Sequence, residues 1–177
     1  MRNVTADEPS IPQARQELDR VSALASGRRL RLATAADLEG IMRLERYCFS
    51  PWLAFGHLRW KRLFSRPAVQ IWLVVQGEQV LAYLCLVPHR GWRSLSVHAL
   101  AVHWQVRHQG IGSLLLDVAA ERARELDLSH LRLEVEEQNE KALRLYLQRG
   151  FVLQRSLPHY YGLERHGHRL ICPLNSK

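Results

Sequence analysis

The segment with the clearest chemical meaning is Val106-Arg107-His108-Gln109-Gly110-Ile111-Gly112-Ser113, which follows an apolar run and opens an amphipathic helical stretch. Glycines at 110 and 112 carry no Cβ, so the backbone there can come close to a ligand, and the first N–H groups of a helix have no intrahelical partner. Those donors, aligned with the helix dipole, suit an anion such as a phosphate. A dinucleotide fingerprint would need a third glycine and an acidic residue about twenty positions on, and a P-loop would need Gly-Lys followed by Ser or Thr. Neither is present. Two further side chains suit proton transfer. Glu134 stands in an apolar strand between Leu133 and Val135, and Tyr146 shares a helical stripe with Asn139 and Leu143. Both also have plain structural readings: alternation puts Arg132, Glu134 and Glu136 together on one strand face, which suits solvent, and a core tyrosine keeps its hydroxyl at the rim.

Residues 131–151 read as a strand, a loop, a helix capped by Asn139 and ended by Gly150, and a new strand at Phe151. The Arg107-x-x-Gly110-x-Gly112 turn, followed by Leu133-Glu134-Val135, Asn139, Ala142, Leu145-Tyr146 and Gly150-Phe151, resembles the signature of the GCN5-related N-acetyltransferases (GNAT). Within that family the nearest likeness is to the bacterial ribosomal-protein-alanine acetyltransferases and their N-terminal acetyltransferase relatives. Tyr160-Tyr161 matches a Tyr-Tyr pair that those relatives carry in the last loop. The likeness runs from about Leu30 to Leu174 and is most specific in its second half.

The resemblance implies a single-domain α/β fold with a mixed, mostly antiparallel twisted sheet and helices on both faces. It implies that acetyl-CoA lies along Leu100, Ala101 and Val102, with its pyrophosphate on Arg107, His108, Gln109, Gly110, Ile111, Gly112 and Ser113 and a further contact to Asn139. The strand ending at Val102 should bulge and part from its neighbour, so that one N–H polarises the thioester carbonyl. Glu134 becomes the general base, acting through a water, Tyr146 the proton donor to the departing sulfur, and Tyr160 and Tyr161 contacts for a peptide N-terminus. The implied reaction is direct transfer to a primary amine, with a protein α-amino group favoured as acceptor. A polyamine or antibiotic acetyltransferase is the alternative enzyme. A basic, nucleic-acid-associated acyl-CoA sensor is a third reading, and the presence of both Glu134 and Tyr146 argues against it. Two departures bear on the acceptor: His103-Trp104 replaces an acidic residue and proline, and His168-Arg169 replaces an acidic-alanine pair.

The elements that must position these residues follow from periodicity. Leu30 to Ala33 alternates as a first strand, Thr34 to Asp37 offers capping residues, and a helix carrying Leu38, Ile41, Leu44 and Glu45 runs to the break at Phe49-Ser50-Pro51-Trp52. A second helix extends to about Phe64. Residues 69–75 and 80–87 form a hairpin about Gln76-Gly77-Glu78-Gln79, and Leu95 to Val102 is the next strand. The helix from Gly112 to Leu126 packs on the sheet, and Leu131–Glu136, Phe151–Ser156 and His168–Leu174 complete it. Residues 1–28 form an N-terminal extension, with one short helix between Pro12 and Ser26, and 29–177 the catalytic domain.

With 177 residues, 47% of them hydrophobic, the chain suits one compact core. No apolar run approaches the about 18 residues of a membrane span and the N-terminus is polar, so a cytoplasmic protein without membrane attachment is expected. Cys48, Cys85 and Cys172 lack any CxxC spacing, and the histidines lack a supporting ligand pattern, so no metal or disulfide is expected; Cys85 and Cys172 read as small core residues. The net charge of +8 is uneven: residues 91–150 balance, while residues 30–90 hold eight basic side chains against four acidic. The densest patch, Arg59 to Arg66, interleaves basic and aromatic residues. It reads as a solvated helix face with its rings turned inward, or as a ribosome or nucleic-acid contact.

Overall fold

The computed structural model describes residues 27–174. The expected Pro12–Ser26 helix and nearly all of the 1–28 extension lie outside the described residues. Strands β1 (Arg28–Leu32), β2 (Gln70–Gln76), β3 (Gln79–His89), β4 (Ser94–Val102), β5 (His130–Glu136), β6 (Val152–Gly162) and β7 (Arg165–Pro173) make one sheet in the order β1-β2-β3-β4-β5-β7-β6. Every neighbouring pair is antiparallel except β4 with β5. Among the described residues four α-helices complete the fold: α1 (Leu38–Cys48), α2 (His57–Phe64), α3 (Ile111–Glu125) and α4 (Glu140–Gln148).

Local chemistry explains the helix ends. A capping box joins Thr34 and Asp37 ahead of α1, with the Thr34 N–H donating to Asp37 Oδ2 at 2.7 Å. Asn139 caps α4 through its Oδ1, which accepts the Ala142 N–H at 3.2 Å. Gly150, at φ +81, closes α4 in a left-handed conformation that a side chain would resist.

The sheet separates two apolar layers. One face packs α3 and α4 through Leu115, Ala119 and Tyr146 onto Leu84, Leu86, Leu131, Leu133 and Val135. The other packs α1 and α2 through Ile41, Leu44, Trp60 and Leu63 onto Leu73, Tyr83 and Cys85. These helices stop at β4, and the corresponding face carries Arg132, Glu134 and Glu136 on β5 and Arg169 on β7.

Two irregularities shape the centre. Cys85 pairs with Ala99 and Leu86 with Val97, so His98 is the extra residue of a β-bulge. The bulge reverses the alternation: Leu95 and Val97 face the α3 layer, whereas Ala99 and Ala101 face α1 and α2. Beyond the bulge β4 leaves β5, and their parallel pairing ends at Ser96↔Arg132.

The last hairpin differs from expectation. β6 extends to Gly162 rather than ending near Ser156, with register shifts between Leu153 and Arg155 and between Leu157 and Gly162. Tyr160 and Tyr161, expected in a loop, therefore sit on the distorted end of a strand. Three histidines are spread over both strands of this hairpin, His159 on β6 and His166 and His168 on β7. The two irregularities absorb residues that an even ladder would have expelled into a loop.

Candidate active site

The wedge between β4 and β5 opens directly onto the glycine turn. The His103 N–H donates to Leu81 O on β3 at 2.8 Å, so strand alternation turns the N–H and C=O of Leu100 and Val102 the other way, into the wedge. Val102 O accepts Arg107 Nε at 3.0 Å and Cys48 Sγ at 3.5 Å. Gly110 takes φ +79 and His108 φ +60, which folds residues 107–110 back so that α3 begins beside the wedge. The first closed turn of α3 is Leu114 N–H to Gly110 O, and no side chain caps the helix, so the N–H groups of Ile111, Gly112 and Ser113 point outward. Gly112 is also a close approach: a Cβ there would meet Leu145 Cδ2 of α4 at 3.0 Å. Arg28, at the start of β1, reaches the same turn and donates to Gln109 Oε1 at 2.8 Å. Extended backbone with free amides leading to a ring of helix N–H groups fits a pantetheine arm and a pyrophosphate, so these residues would hold acetyl-CoA.

Glu134 lies on β5 where the wedge widens, on the face opposite Leu133 and Val135. It is partly buried rather than solvated, because Arg169 stands directly across on β7 and donates Nε to Glu134 Oε1 at 2.8 Å. Tyr146 is 8% exposed and packs on Phe151, ring centroids 5.6 Å apart. Burial pushes its phenol up to about 12, so it keeps its proton at neutral pH. Burial raises the Tyr161 phenol, and Tyr160, Glu134, Tyr146 and Glu136 add to the shift. It lies against Gly167, where a Cβ would come within 2.9 Å of Tyr161 Cε2. Tyr160 stands edge-on to Tyr161 at 5.0 Å and is half exposed.

Sequence reasoning assigned no function to Glu45, Phe55 or His98 on the α1–α2 side of the sheet. Glu45 of α1 is 2% exposed, and its carboxylate accepts the Tyr83 hydroxyl through Oε1 and the Phe55 N–H through Oε2 at 2.5 Å. Burial raises its pKa, and the two hydrogen bonds work against that rise. One carboxylate thus ties α1, β3 and the α1–α2 connection together. Phe55 in turn packs on His98 at 5.4 Å, with the Arg59 guanidinium 3.5 Å from its ring centroid and Arg59 Nη2 3.2 Å from His98 Nε2. Arginine only donates, so that ring nitrogen accepts, and burial followed by the Arg59 charge lowers the His98 pKa. Glu45 appeared in the sequence as a carboxylate on an apolar helical stripe. That was the available signal. Glu45→Ala leaves the buried Tyr83 hydroxyl and the half-buried Phe55 N–H unpaired and is expected to cost about 2–4 kcal/mol of stability. Glu45→Gln, which keeps acceptor oxygen, should lose distinctly less; equal melting temperatures for Glu45→Ala and wild type would refute the clamp.

His103, one of the departures, caps the short 3-10 turn Trp104–Val106 by accepting the Gln105 N–H on Nδ1 at 3.4 Å, the role a carboxylate would fill. Along Arg59 to Arg66, Trp60 and Leu63 turn inward while Lys61, Arg62 and Arg66 are exposed, as a solvated helix face requires. Cys85 is buried, its thiol raised to about 12 by desolvation, whereas Cys172 is only half-buried, at the edge of the core rather than in it. Among the described residues no three His, Cys, Asp or Glu side chains gather to hold a metal ion, and no helix is long and apolar enough to cross a membrane.

Comparison with known proteins agrees with this geometry. The acetyltransferase (GNAT) family profile matches residues 38–151. N-alpha-acetyltransferase 30 of Saccharomyces cerevisiae is 33% identical over 91 residues, covering 51% of this chain and 52% of that protein, so the match spans about half of each. The ribosomal-protein-S18-alanine N-acetyltransferase of Escherichia coli superposes with a TM-score of 0.75 at 16% identity, over 85% of this chain and 96% of that one. Ard1 of Thermoplasma volcanium gives 0.75 at 22% identity, over 85% and 99%. A nourseothricin acetyltransferase gives 0.70 at 19% identity, over 85% and 100%. At these identities the superpositions establish the shared fold.

Proposed function

The chain belongs to the GNAT family of acetyltransferases, which use acetyl-CoA, and from that premise we propose that it acetylates the α-amino group at a protein N-terminus by direct transfer. The observation that carries this reading is the parting of β4 from β5 beside the uncapped start of α3, with Glu134 on the margin of β5 that the parting exposes. Bound acetyl-CoA supplies the acetyl group as an electrophilic thioester. The Leu100 N–H is the donor aimed at the carbonyl oxygen as charge gathers there, an interaction worth roughly 3–4 kcal/mol in comparable sites. Glu134, through a water, takes the proton that an ammonium must lose before its nitrogen has a lone pair. As the new C–N bond forms and the C–S bond breaks, the Tyr146 hydroxyl gives its proton to the departing sulfur. The second nitrogen proton returns to Tyr146 through water, and Glu134 releases the first to solvent. A phenol raised to about 12 is a weak acid, but the burial that raises it also makes a nearby thiolate more basic.

An N-terminal peptide, rather than a compact small amine, is favoured by the Tyr160–Tyr161 pair, whose rings give rigid contact area and whose hydroxyls can bond an extended backbone. Exposed Lys61, Arg62 and Arg66 on the acceptor side repel an arginine-rich peptide, and such rim charges act mainly on association rate and salt dependence. Peptides neutral or acidic after the first residue are therefore the expected acceptors, with acidic ones weakened by added salt. Tyr160→Ala with Tyr161→Ala should raise the KM for peptide and leave that for acetyl-CoA nearly unchanged. The deciding experiment is a kcat/KM comparison of N-terminal peptides with spermidine and an aminoglycoside; a small amine that exceeds every peptide overturns the protein-acceptor reading.

A further inference from the structure

Glu134 is not a free carboxylate. Arg169 Nε is bonded to its Oε1 at 2.8 Å, and Arg132 Nε stands 3.7 Å from the same oxygen. The three side chains are only 14 to 20% exposed, so this is a sheltered cluster and not a surface pair. Two guanidiniums around one carboxylate leave an excess of one positive charge. The Arg132 Nε is buried without a hydrogen-bond partner, and its guanidinium lies 5.0 Å over the exposed Trp92 ring. Further positive charge surrounds the cluster: Arg155 pairs with Arg169 across β6 and β7, and Arg59 borders the wedge from α2. Glu136, the other carboxylate on this face of β5, is already held by Arg165 at 2.7 Å. An acceptor bringing only an ammonium would meet net positive charge and a base with one oxygen already engaged.

We propose that the preferred acceptor carries a carboxylate beside its reacting amine, and that Arg169, backed by Arg132, exchanges Glu134 for that carboxylate. The exchange keeps charge paired throughout. Before binding, Arg169 holds Glu134; afterwards Arg169 holds the acceptor's carboxylate and the freed Glu134 takes the ammonium's proton through its water. Arginine suits this role because its planar fork offers several donors in fixed geometry, so one carboxylate can replace another without loss of a hydrogen bond. The acceptor's own carboxylate is then what frees the base, and an acceptor without one leaves Arg169 on Glu134. The same chemistry comes from an N-terminal peptide with Asp or Glu as its second residue, or from a small molecule bearing an amine and a carboxylate together. The inference rests on the amine-acetylating mechanism above, with Glu134 as base.

The test measures kcat/KM for wild type, Arg169→Gln and Arg169→Lys, with folding checked by melting. The acceptors are three peptides differing only in Asp, Ser or Lys at the second position, and one small amino acid compared with its amide. The Asp peptide is expected to exceed the Ser peptide by about tenfold or more in wild type, the scale of a hydrogen bond between charged groups. In Arg169→Gln that ratio should collapse toward one, and in Arg169→Lys, which keeps the charge but not the fork, part of it should remain. An Asp-to-Ser ratio unchanged by Arg169→Gln overturns the proposal. Should Arg169→Gln fail to fold, a Lys variant with the full wild-type ratio would overturn it equally. A best rate with the Lys peptide refutes the exchange but leaves the N-terminal reading standing. Acetylation confined to the small amino acid, and lost in its amide, supports the exchange and removes the protein acceptor.

Discussion

Glu134→Gln and Tyr146→Phe are each expected to lower kcat by about 10² to 10⁴ while acetyl-CoA binding persists, the usual scale for one lost proton-transfer group. Both changes preserve shape. A glutamine at 134 still offers Oε1 to Arg169, so the link between β5 and β7 is retained, and a phenylalanine at 146 still packs on Phe151. The two losses should differ in pH dependence. An α-amino group titrates near 8, so its neutral fraction grows about tenfold between pH 7 and pH 9, and Glu134→Gln should recover by up to that factor. Tyr146→Phe should show no such recovery, because the proton it withholds is destined for sulfur. Single-turnover rates across this pH range, with binding measured separately, decide the matter; wild-type rates in both variants at neutral pH would reduce the two residues to packing.

Acetyl-CoA at about one hundred times its Kd is expected to stabilise the fold by roughly 2.7 kcal/mol, which for a chain of this length raises Tm by about 5 to 10 °C. The effect requires the outward N–H groups of Ile111, Gly112 and Ser113, so Gly112→Asp, which sets a carboxylate against the pyrophosphate, should abolish it. Because any Cβ at 112 crowds Leu145, Gly112→Ala is the necessary control. It should lower the melting temperature of the free protein yet keep most of the response to ligand. Calorimetry or dye-monitored melting with and without acetyl-CoA separates the two; a wild-type protein whose melting ignores acetyl-CoA would contradict the assignment of the turn.

Local sequence carried the parts of the site that are local in space. The turn at Gly110 and Gly112, the Asn139 cap, the Gly150 stop and the helical stripe bearing Tyr146 each depend on neighbours a few residues away, and all are present in the fold. The strand alternation that put Glu134 opposite Leu133 and Val135 was equally readable. Features that depend on register were not. That Arg169 falls opposite Glu134 is decided by the pairing of β5 with β7, and one residue of slip would have placed His168 there and turned Arg169 to the other face. The bulge at His98 has no glycine or proline to announce it, and the double irregularity of β6 turned an expected loop into strand. Glu45 stood on the right helical face, but its meaning needed Tyr83 and Phe55, which lie far along the chain and beyond the helix respectively.

The parting of β4 from β5 gives one sheet four margins instead of two. β1 and β6 bound it outside, and the facing sides of β4 and β5 bound it within. A strand margin is a template for any backbone that can line up with it, which is why exposed margins invite unwanted association between chains. The inner pair limits that hazard by shape: it opens from a fixed apex at Ser96 and Arg132, so a strand can enter only beyond that apex. What can enter is a slender chain whose amide groups can pair with a strand margin, and the pantetheine arm, with its two amides, has that form. With acetyl-CoA held there as proposed, the slot would select by width as much as by chemistry.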